Sequence, residues 1–366
     1  MCLSQALRNL GLLAALQRDF YSARTLYEEA LPLARRLGEK RVMATITQAL
    51  ALAVFEDGEL AHARRLAEEG LATDRELGNR QGIAEHLTVL AGVARAEGDD
   101  EAAGAMFAEA LAIWQGLAAR DAEARAYTTL GDMAHARHDY EMARAYLTAA
   151  LVAWRNLGDD AAAARLLNLA GWAAAMQGDL VRARELLEEG IELAVRVGDD
   201  GQRSATLHSL GEVARLEGRF AEARALLEES LALAQASGWR SVLWWPVHSL
   251  GALAREEGRL DEARERLREA VALCPKLGRR PRLADCLEEL AALALDEDDA
   301  ERAAVLFGAA ETLRATASTP RPPAARATVD ATAAAARQRL GDDAFQQARQ
   351  RGRAASIDEA TALASN

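Results

Sequence analysis

The chain repeats itself every 40 residues, and this period constrains its fold more than any other feature. One column is alanine in eight successive copies: Ala23, Ala63, Ala103, Ala143, Ala183, Ala223, Ala263 and Ala303. A second column holds only small residues: Gly11, Ala51, Ala91, Gly131, Gly171, Gly211, Gly251 and Ala291. Self-similarity at a fixed period is typical of stacked-repeat proteins, in which each repeat packs on its neighbours. The period therefore predicts a repeat fold and favours a binding function over catalysis.

Each repeat has the pattern of a helical hairpin. Within residues 121–160, apolar and small residues recur at steps of three or four in each half, which is one face of a helix. The two halves are separated by a turn such as Gly98-Asp99, in which glycine suits a left-handed helix end and the acidic residue can cap the next helix. The second helix ends at a recurring glycine: Gly38, Gly78, Gly158, Gly198, Gly238 and Gly278. We therefore expect a helix A and a helix B of about 16 and 17 residues in each repeat.

Two small residues predict a close approach of the helices in each hairpin. Gly131 on helix A and Ala143 on helix B represent the two columns in the fourth repeat. A large side chain at either position should force the hairpin apart, at a cost of about 1–3 kcal/mol for overpacking.

These residues resemble the tetratricopeptide repeat. Tyr127-x2-Leu130-Gly131 is similar to the first part of its signature, and Ala143-x3-Leu147 to the second. The chain departs from the signature in three ways: Ala134 replaces a tyrosine, the late proline is missing, and the repeat has 40 rather than 34 residues. The resemblance implies an all-α fold, a right-handed α-solenoid of about eight hairpins over residues 1–315.

Residues 316–366 have the pattern of a C-terminal helical cap. A proline-rich break at Pro320, Pro322 and Pro323 ends the regular repeats. The pattern then predicts one helix to Leu340, a second over residues 342–351, and a last short helix. Ser356-x-x-Glu359 is a candidate capping box for that last helix.

The long repeats and the tail are similar to the C-terminal sensor arms of MalT-like and AfsR-like bacterial regulators. The tail segments LFGAAETLR and LGDDAFQQARQRGRAASIDEATALA carry this resemblance. In such regulators an effector domain, often LuxR-type, and a signal-transduction ATPase domain precede the arm. The resemblance implies the sensor or interaction arm of a transcriptional or signalling regulator. A freestanding adaptor that bridges two proteins is the alternative.

The repeats begin inside the first helix A, without a polar capping helix before it. A solenoid end without a cap exposes apolar surface. We therefore expect this end to be covered by another domain, a partner or a second copy of the chain.

The resemblance also places a binding groove on the concave side, which helix A lines. Ligand-facing positions lie six and three residues before each Gly131-type position, and one, four and five residues after it. Unlike the packing columns, these columns vary along the chain, and they are rich in side chains that anchor interfaces. The candidate residues are Arg95, Arg125, His135, Arg165, Asn168, Trp172, His208, Arg215, Trp245, His248 and Arg255.

The arginines in these columns suit carboxylates, so we expect a peptide or protein segment that carries acidic and apolar groups. A small inducer is a further candidate ligand, and a merely solvated surface is the alternative to any binding groove. If the groove binds, replacing Arg215 and Arg255 together by alanine should weaken capture and leave melting nearly unchanged.

The composition argues against nucleic-acid and membrane partners. The formal net charge is −12, which opposes general binding to a phosphate backbone. The chain has no apolar run of about 18 residues and no secretory signal at its N-terminus. Its three cysteines lack metal-site spacing and favour a reduced, cytoplasmic setting over a disulfide framework.

The sequence offers no catalytic motif, so we expect no enzyme activity, no cofactor and no metal. Nucleotide P-loops, G-x-S-x-G elbows and H-E-x-x-H zinc motifs are all missing from it. His208 and His248 share one groove column and could share a metal, but no third ligand is in register, so unligated histidines are favoured.

Tryptophans mark two further places. Trp114 and Trp154 occupy one helix-B position and favour packing in the hairpin core over a ligand platform. Trp239, Trp244 and Trp245 cluster beside Pro246, which could lie in the first turn of a helix. This second cluster is equally consistent with a packing adjustment and with a binding hot spot.

Overall fold

The computed structural model describes residues 3–16, 20–238, 243–274, 280–317 and 323–365, and its regular structure in these ranges is helical. Trp239, Gly278, Pro320 and Pro322 lie outside the described residues, as does Cys2, and so do the predictions that rest on them.

Sixteen helices follow one another as eight hairpins within the described ranges, the odd-numbered helix of each being helix A and the even-numbered one helix B. The first four hairpins are α1 (Leu3–Leu16) and α2 (Phe20–Leu37), α3 (Lys40–Glu56) and α4 (Leu60–Leu77), α5 (Arg80–Ala96) and α6 (Asp100–Leu117), and α7 (Arg120–Ala136) and α8 (Tyr140–Leu157). The next four are α9 (Asp160–Met176) and α10 (Leu180–Val197), α11 (Asp200–Leu216) and α12 (Phe220–Ala236), α13 (Trp244–Glu256) and α14 (Leu260–Leu273), and α15 (Arg280–Asp296) and α16 (Ala300–Ala317). The predicted all-α repeat solenoid is confirmed.

Three helices follow the last hairpin: α17 (Pro323–Leu340), α18 (Asp342–Ala354) and α19 (Ile357–Ser365). Among the described helices, none has the length and apolar content needed to cross a membrane.

The chain divides into two compact units. The first unit contains Met1–Ala134 and Ala145–Gly158, and the second contains His135–Arg144 and Asp159–Asn366. Each unit has its own apolar core, built from alanine and leucine on facing sides of successive hairpins. In the first unit α1 also exposes large apolar side chains, namely Leu3, Leu10, Leu12 and Leu13.

The small-residue column lets helix A approach helix B as predicted. A Cβ atom on Gly131 would lie 2.7 Å from Cδ2 of Leu147, and one on Gly171 would lie 2.6 Å from Cγ of Leu187. The alanine column, including Ala143, is fully buried. A leucine of helix B therefore fills the space that a side chain on helix A would need.

The turns between the helices have the predicted conformation and caps. Gly98 has φ +86° and Gly178 has φ +84°, both in the left-handed region. Asp99 accepts a hydrogen bond from the backbone N–H of Ala102, so its side chain caps α6. The repeat glycines at these turns and at the helix-B ends share this conformation: Gly38, Gly58, Gly78, Gly158, Gly198, Gly218, Gly238 and Gly258.

Ion pairs join successive repeats within each unit. An arginine near the start of helix B bonds an acidic residue 33 positions later, close to the next turn. The five pairs are Arg24–Asp57, Arg64–Glu97, Arg184–Glu217, Arg224–Glu257 and Arg264–Glu297. Since both partners are partly solvated, each pair contributes about 0–1 kcal/mol.

The C-terminal helices pack closely on the last hairpin. A methyl group on Gly308 of α16 would overlap the carbonyl oxygen of Arg349, and one on Gly352 of α18 would overlap that of Val305. Glycine therefore lets the two backbones touch. The predicted capping box of α19 is present, because the N–H of Ser356 donates to Glu359 at 2.7 Å and the N–H of Glu359 donates to Oγ of Ser356 at 3.3 Å.

In the first unit a buried histidine packs against a glycine of the preceding helix. His86 on α5 is fully buried over Gly70 of α4, where a methyl group would overlap the imidazole ring. Burial lowers the pKa of His86 to about 4, so the ring is neutral at pH 7. We expect Gly70→Ala to destabilise the first unit by about 1–3 kcal/mol through overpacking.

The corresponding residues one repeat earlier suggest a second substitution that should offset the effect of Gly70→Ala. Ala30 and Ile46, both fully buried, occupy the two positions 40 residues earlier. Gly70→Ala with His86→Ile recreates that pair and should recover at least half of the lost stability, as measured by urea unfolding. If the double variant is no more stable than Gly70→Ala, the overlap with His86 is not the cause.

Candidate binding site

A cavity of about 510 Å³ lies in the second unit, on the side formed by helix A of successive repeats. Side chains from α7, α9, α11, α13, α15 and α17 line it, and we call it the A-helix cavity. Eight of the predicted groove residues are among them: His135, Asn168, Trp172, His208, Arg215, Trp245, His248 and Arg255. The variable columns of four successive repeats, the fourth to the seventh, therefore converge on one cavity.

Three predicted residues do not line this cavity. Arg95 and Arg125 belong to the first unit, where both are exposed and Arg125 pairs with Asp121. Arg165 belongs to the second unit but lies on an exposed face of α9, outside the cavity lining.

Some residues of the lining were not among the predicted groove residues. Asp285, Glu288 and Ala292 on α15 occupy the same columns one repeat further along, so extending the column rule to the eighth repeat would have found them. Thr328 and Thr332 come from α17, which has no counterpart in the repeats and gave no such signal.

The two groove arginines already have carboxylate partners. Arg215 donates to Glu212 at 2.8 Å and to Glu256 at 2.5 Å. Arg255 donates to Glu289 at 3.3 Å and to Asp296 at 3.1 Å. Burial alone would raise the pKa of the Glu212 carboxyl, but the Arg215 charge and hydrogen bonds outweigh it and lower the pKa to about 2.

A third arginine, which is not part of the lining, pairs with two of the lining carboxylates. Arg314 on α16 donates to both carboxylate oxygens of Glu288 at 2.7 Å and to Asp285 at 2.5 Å. Arg314 and Glu288 are both buried. Such two-pronged pairs are strong and hold both partners in a fixed geometry.

The charge of the lining argues against the acidic ligand expected from the sequence. Among the described residues that line the cavity, carboxylates outnumber guanidinium groups. They are Glu212, Glu256, Asp285, Glu288 and Glu289, against Arg215 and Arg255. Burial lowers the pKa of His208 to about 4, so this histidine adds no charge at pH 7. An acidic side chain would therefore enter a surface that already carries excess negative charge.

The tryptophan cluster serves both packing and the cavity. Trp244 is buried, stacks on His248 with ring centroids 4.7 Å apart, and donates to Sγ of Cys286. Trp245 is half-buried and stacks on His208 at 6.0 Å. Pro246 lies in the first turn of α13, as predicted, so its missing N–H breaks no helical bond.

The other candidate sites have ordinary contacts in the described part of the chain. Nε2 of His208 lies 3.0 Å from Oγ of Ser249, and no group of three or more potential metal ligands occurs among the residues described. Trp114 is buried in the first unit's core, and Trp154 donates to Oγ1 of Thr128 at 2.9 Å.

The hairpins, the glycine and alanine columns and the signature residues agree with one family model. The model of the tetratricopeptide repeat matches residues 2–76, 82–151, 123–194 and 160–236, which together span more than half of the chain. The chain belongs to the tetratricopeptide-repeat family. The matches fall on the regular hairpins from α1 to α12.

Solved structures with a similar fold include a Rap protein and a quorum sensor. A Rap protein complexed with competence and sporulation factor has a TM-score of 0.65 and 12% identity, with 99% of each chain covered. The quorum sensor NprR from B. thuringiensis, in its apo form, has a TM-score of 0.54 and 17% identity, covering 73% of this chain and 75% of its own.

A third similar structure is the signal transduction ATPase with a tetratricopeptide repeat sensor, PH0952 from Pyrococcus horikoshii. Its TM-score is 0.62 at 15% identity, and the match covers 90% of this chain but 49% of that protein. At these identities the similarity shows the fold alone. None of the curated proteins matches the chain in sequence.

Proposed function

We propose that this chain is a non-catalytic scaffold that captures a peptide or protein segment in the A-helix cavity. The observation that carries the proposal is the convergence of the variable helix-A columns on one space of about 510 Å³. Such a volume suits a small ligand or a few side chains of a peptide. The invariant columns build the hairpins, whereas the variable ones supply His, Trp and Arg to the lining.

The cellular role that fits best is the cytoplasmic sensor arm of a bacterial transcriptional or signalling regulator, of the MalT-like or AfsR-like type. The similar structures support this role, since one contains a tetratricopeptide repeat sensor on a signal-transduction ATPase and another is a quorum sensor. A small inducer in the same cavity would serve the same arm.

A freestanding adaptor is the second candidate function. The exposed leucines of α1 favour it, because Leu3, Leu10 and Leu13 are spaced to lie on one side of the helix and leave apolar area open in the first unit. Under this proposal a partner or a second copy of the chain covers α1 while the A-helix cavity holds another segment. An adaptor binds both partners at once, whereas a sensor arm needs the cavity ligand alone.

A screen with a random heptapeptide library tests the proposed function. Ala205→Trp places an indole in the cavity lining on α11, and Ala232→Trp places the same group on the exposed face of α12 as a control. Peptides selected by the wild-type protein should bind Ala205→Trp at least tenfold more weakly and Ala232→Trp equally well. Circular dichroism confirms that both variants remain helical. Equal binding to the two variants would contradict the proposal.

A further inference from the structure

Two carboxylates in the lining of the A-helix cavity, Glu256 and Glu289, can each accept a further hydrogen bond. Glu256 on α13 accepts a 2.5 Å bond from Arg215, and Glu289 on α15 accepts a 3.3 Å bond from Arg255. Both carboxylates are only partly buried. Because a carboxylate offers about four lone-pair sites, each retains capacity for a further donor.

Burial and neighbouring charges determine how well the ionised form of Glu256 is stabilised. Burial raises the pKa of Glu256, and the neighbouring charge of Glu289 raises it further, while Arg215 and Arg255 act in the opposite direction. The ionised form of this carboxyl is thus incompletely compensated. A cation placed between Glu256 and Glu289 would relieve the repulsion between them.

The aromatic side chains of the cavity already accept a guanidinium from the chain itself. Cζ of Arg282 lies 4.6 Å from the ring centroid of Trp245 and 5.1 Å from that of Trp244. These are cation–π distances, and arginine on tryptophan is the favoured combination. Arg282 therefore occupies one side of each of these two rings, and Trp172 brings a third, partly exposed indole to the same lining.

Unmet hydrogen-bonding capacity in the lining also suits a donor. Within the described part of the structure, Oδ1 of Asn168 and Nε2 of His248 are buried atoms that lack a hydrogen-bond partner. The amide oxygen is an acceptor, and an imidazole nitrogen accepts or donates according to the tautomer. A guanidinium or ammonium group carries several donors and no acceptor.

From these four observations we propose that the A-helix cavity recognises a basic side chain, arginine or lysine, of a bound peptide, with Glu256 and Glu289 as its counter-charges and tryptophan as its apolar wall. This inference rests on the proposed peptide-binding function and names the chemistry of the ligand. It reverses the acidic preference that the arginine columns suggest when they are considered without their partners.

Three fixed-centre heptapeptide mixtures test the inference. Each has randomised flanks and a central arginine, citrulline or glutamate, so that the first two differ in charge but hardly in shape. At low salt we expect the arginine mixture to bind at least tenfold more tightly than the citrulline mixture, and the glutamate mixture to bind most weakly.

Charge-neutralising variants assign the effect to the cavity. Glu256→Gln with Glu289→Gln keeps acceptor oxygens for Arg215 and Arg255 and should reduce the arginine-to-citrulline ratio to within twofold, without changing the affinity for the citrulline mixture. Glu192→Gln, on the exposed face of α10, is the matched control and should retain the full ratio.

The outcomes separate this inference from the function on which it rests. Citrulline or glutamate mixtures that bind as tightly as the arginine mixture would overturn the charge preference and leave peptide binding intact. An arginine preference that survives in the double Gln variant would overturn the assignment to Glu256 and Glu289. If none of the mixtures binds, the proposed function fails and the inference fails with it.

Discussion

Replacing Gly308 by alanine is expected to destabilise the C-terminal end of the second unit by about 3 kcal/mol, the upper part of the range for overpacking. The added methyl group would meet the carbonyl oxygen of Arg349, a backbone atom that cannot rotate away as a side chain can. Relief requires α18 to move away from α16. Urea unfolding and limited proteolysis after residue 317 should both report the loss.

Gly104 provides the control for this prediction, because the chemical change is the same and the surroundings are not. It also lies within a helix, α6, but no atom lies within 4 Å of the position that its Cβ would take. Gly104→Ala should therefore stabilise the protein by up to about 1 kcal/mol through helix propensity. Effects of the same sign at Gly308 and Gly104 would show that the contact between α16 and α18 is not tight.

Replacing Arg215 by alanine should cost about 3–5 kcal/mol, because it leaves a buried carboxylate without its counter-charge. Glu212, the partner 2.8 Å away, is only 8% exposed. Arg125→Ala is the matched control, since Arg125 and Asp121 are both solvent-exposed and such pairs contribute about 0–1 kcal/mol. Urea unfolding of the two variants at pH 7 measures the contrast.

The cost of Arg215→Ala should also depend on pH. Glu212 has its pKa lowered from 4.5 to about 2 in the folded protein, so its contribution to stability is complete above pH 4.5 and is lost as the pH falls towards 2. The difference between the wild-type protein and Arg215→Ala should therefore shrink over that interval. A difference that is constant from pH 7 to pH 3 would contradict the assigned role of Glu212.

This result would also correct the expectation that Arg215 and Arg255 can be removed without affecting melting. That expectation treats a groove arginine as a free group waiting for a ligand. In the folded chain Arg215 reaches Glu256, and Arg255 reaches Asp296, each 41 positions away. A variant that lacks these arginines cannot separate binding from stability, whereas Glu256→Gln with Glu289→Gln can.

The local features of the fold could be predicted from the sequence because they depend on short-range chemistry. A left-handed glycine at Gly98, the cap at Asp99 and the capping box at Ser356 are each decided within a few residues. The close approach at Gly131 could also be predicted, since the period places a leucine opposite the helix-A glycine in four successive hairpins, as Leu147 is opposite Gly131.

The candidate site could be predicted only in part. The columns identified most of the lining from α9, α11 and α13, but they did not indicate its charge. Arg125 and Arg215 come from the same set of columns, yet one is exposed and the other is held by two carboxylates. For Arg215 the difference depends on Glu212, three residues earlier on the same helix, and on Glu256 from the next repeat. The lining from α17 depends on tertiary packing of a segment outside the period.

Because α17 supplies part of the cavity lining, ligand binding in the cavity is coupled to the docking of α17. A ligand that contacts Thr328 or Thr332 can do so only while α17 is docked, so it binds the docked state in preference to the undocked one. By mass action, a ligand present at 100 times its Kd would stabilise docking by at most about 2.7 kcal/mol, the value for a ligand that binds the docked state exclusively. Ligand binding in the cavity would then protect the last helices from proteolysis. These helices lie far along the chain from the arginines and tryptophans of the lining.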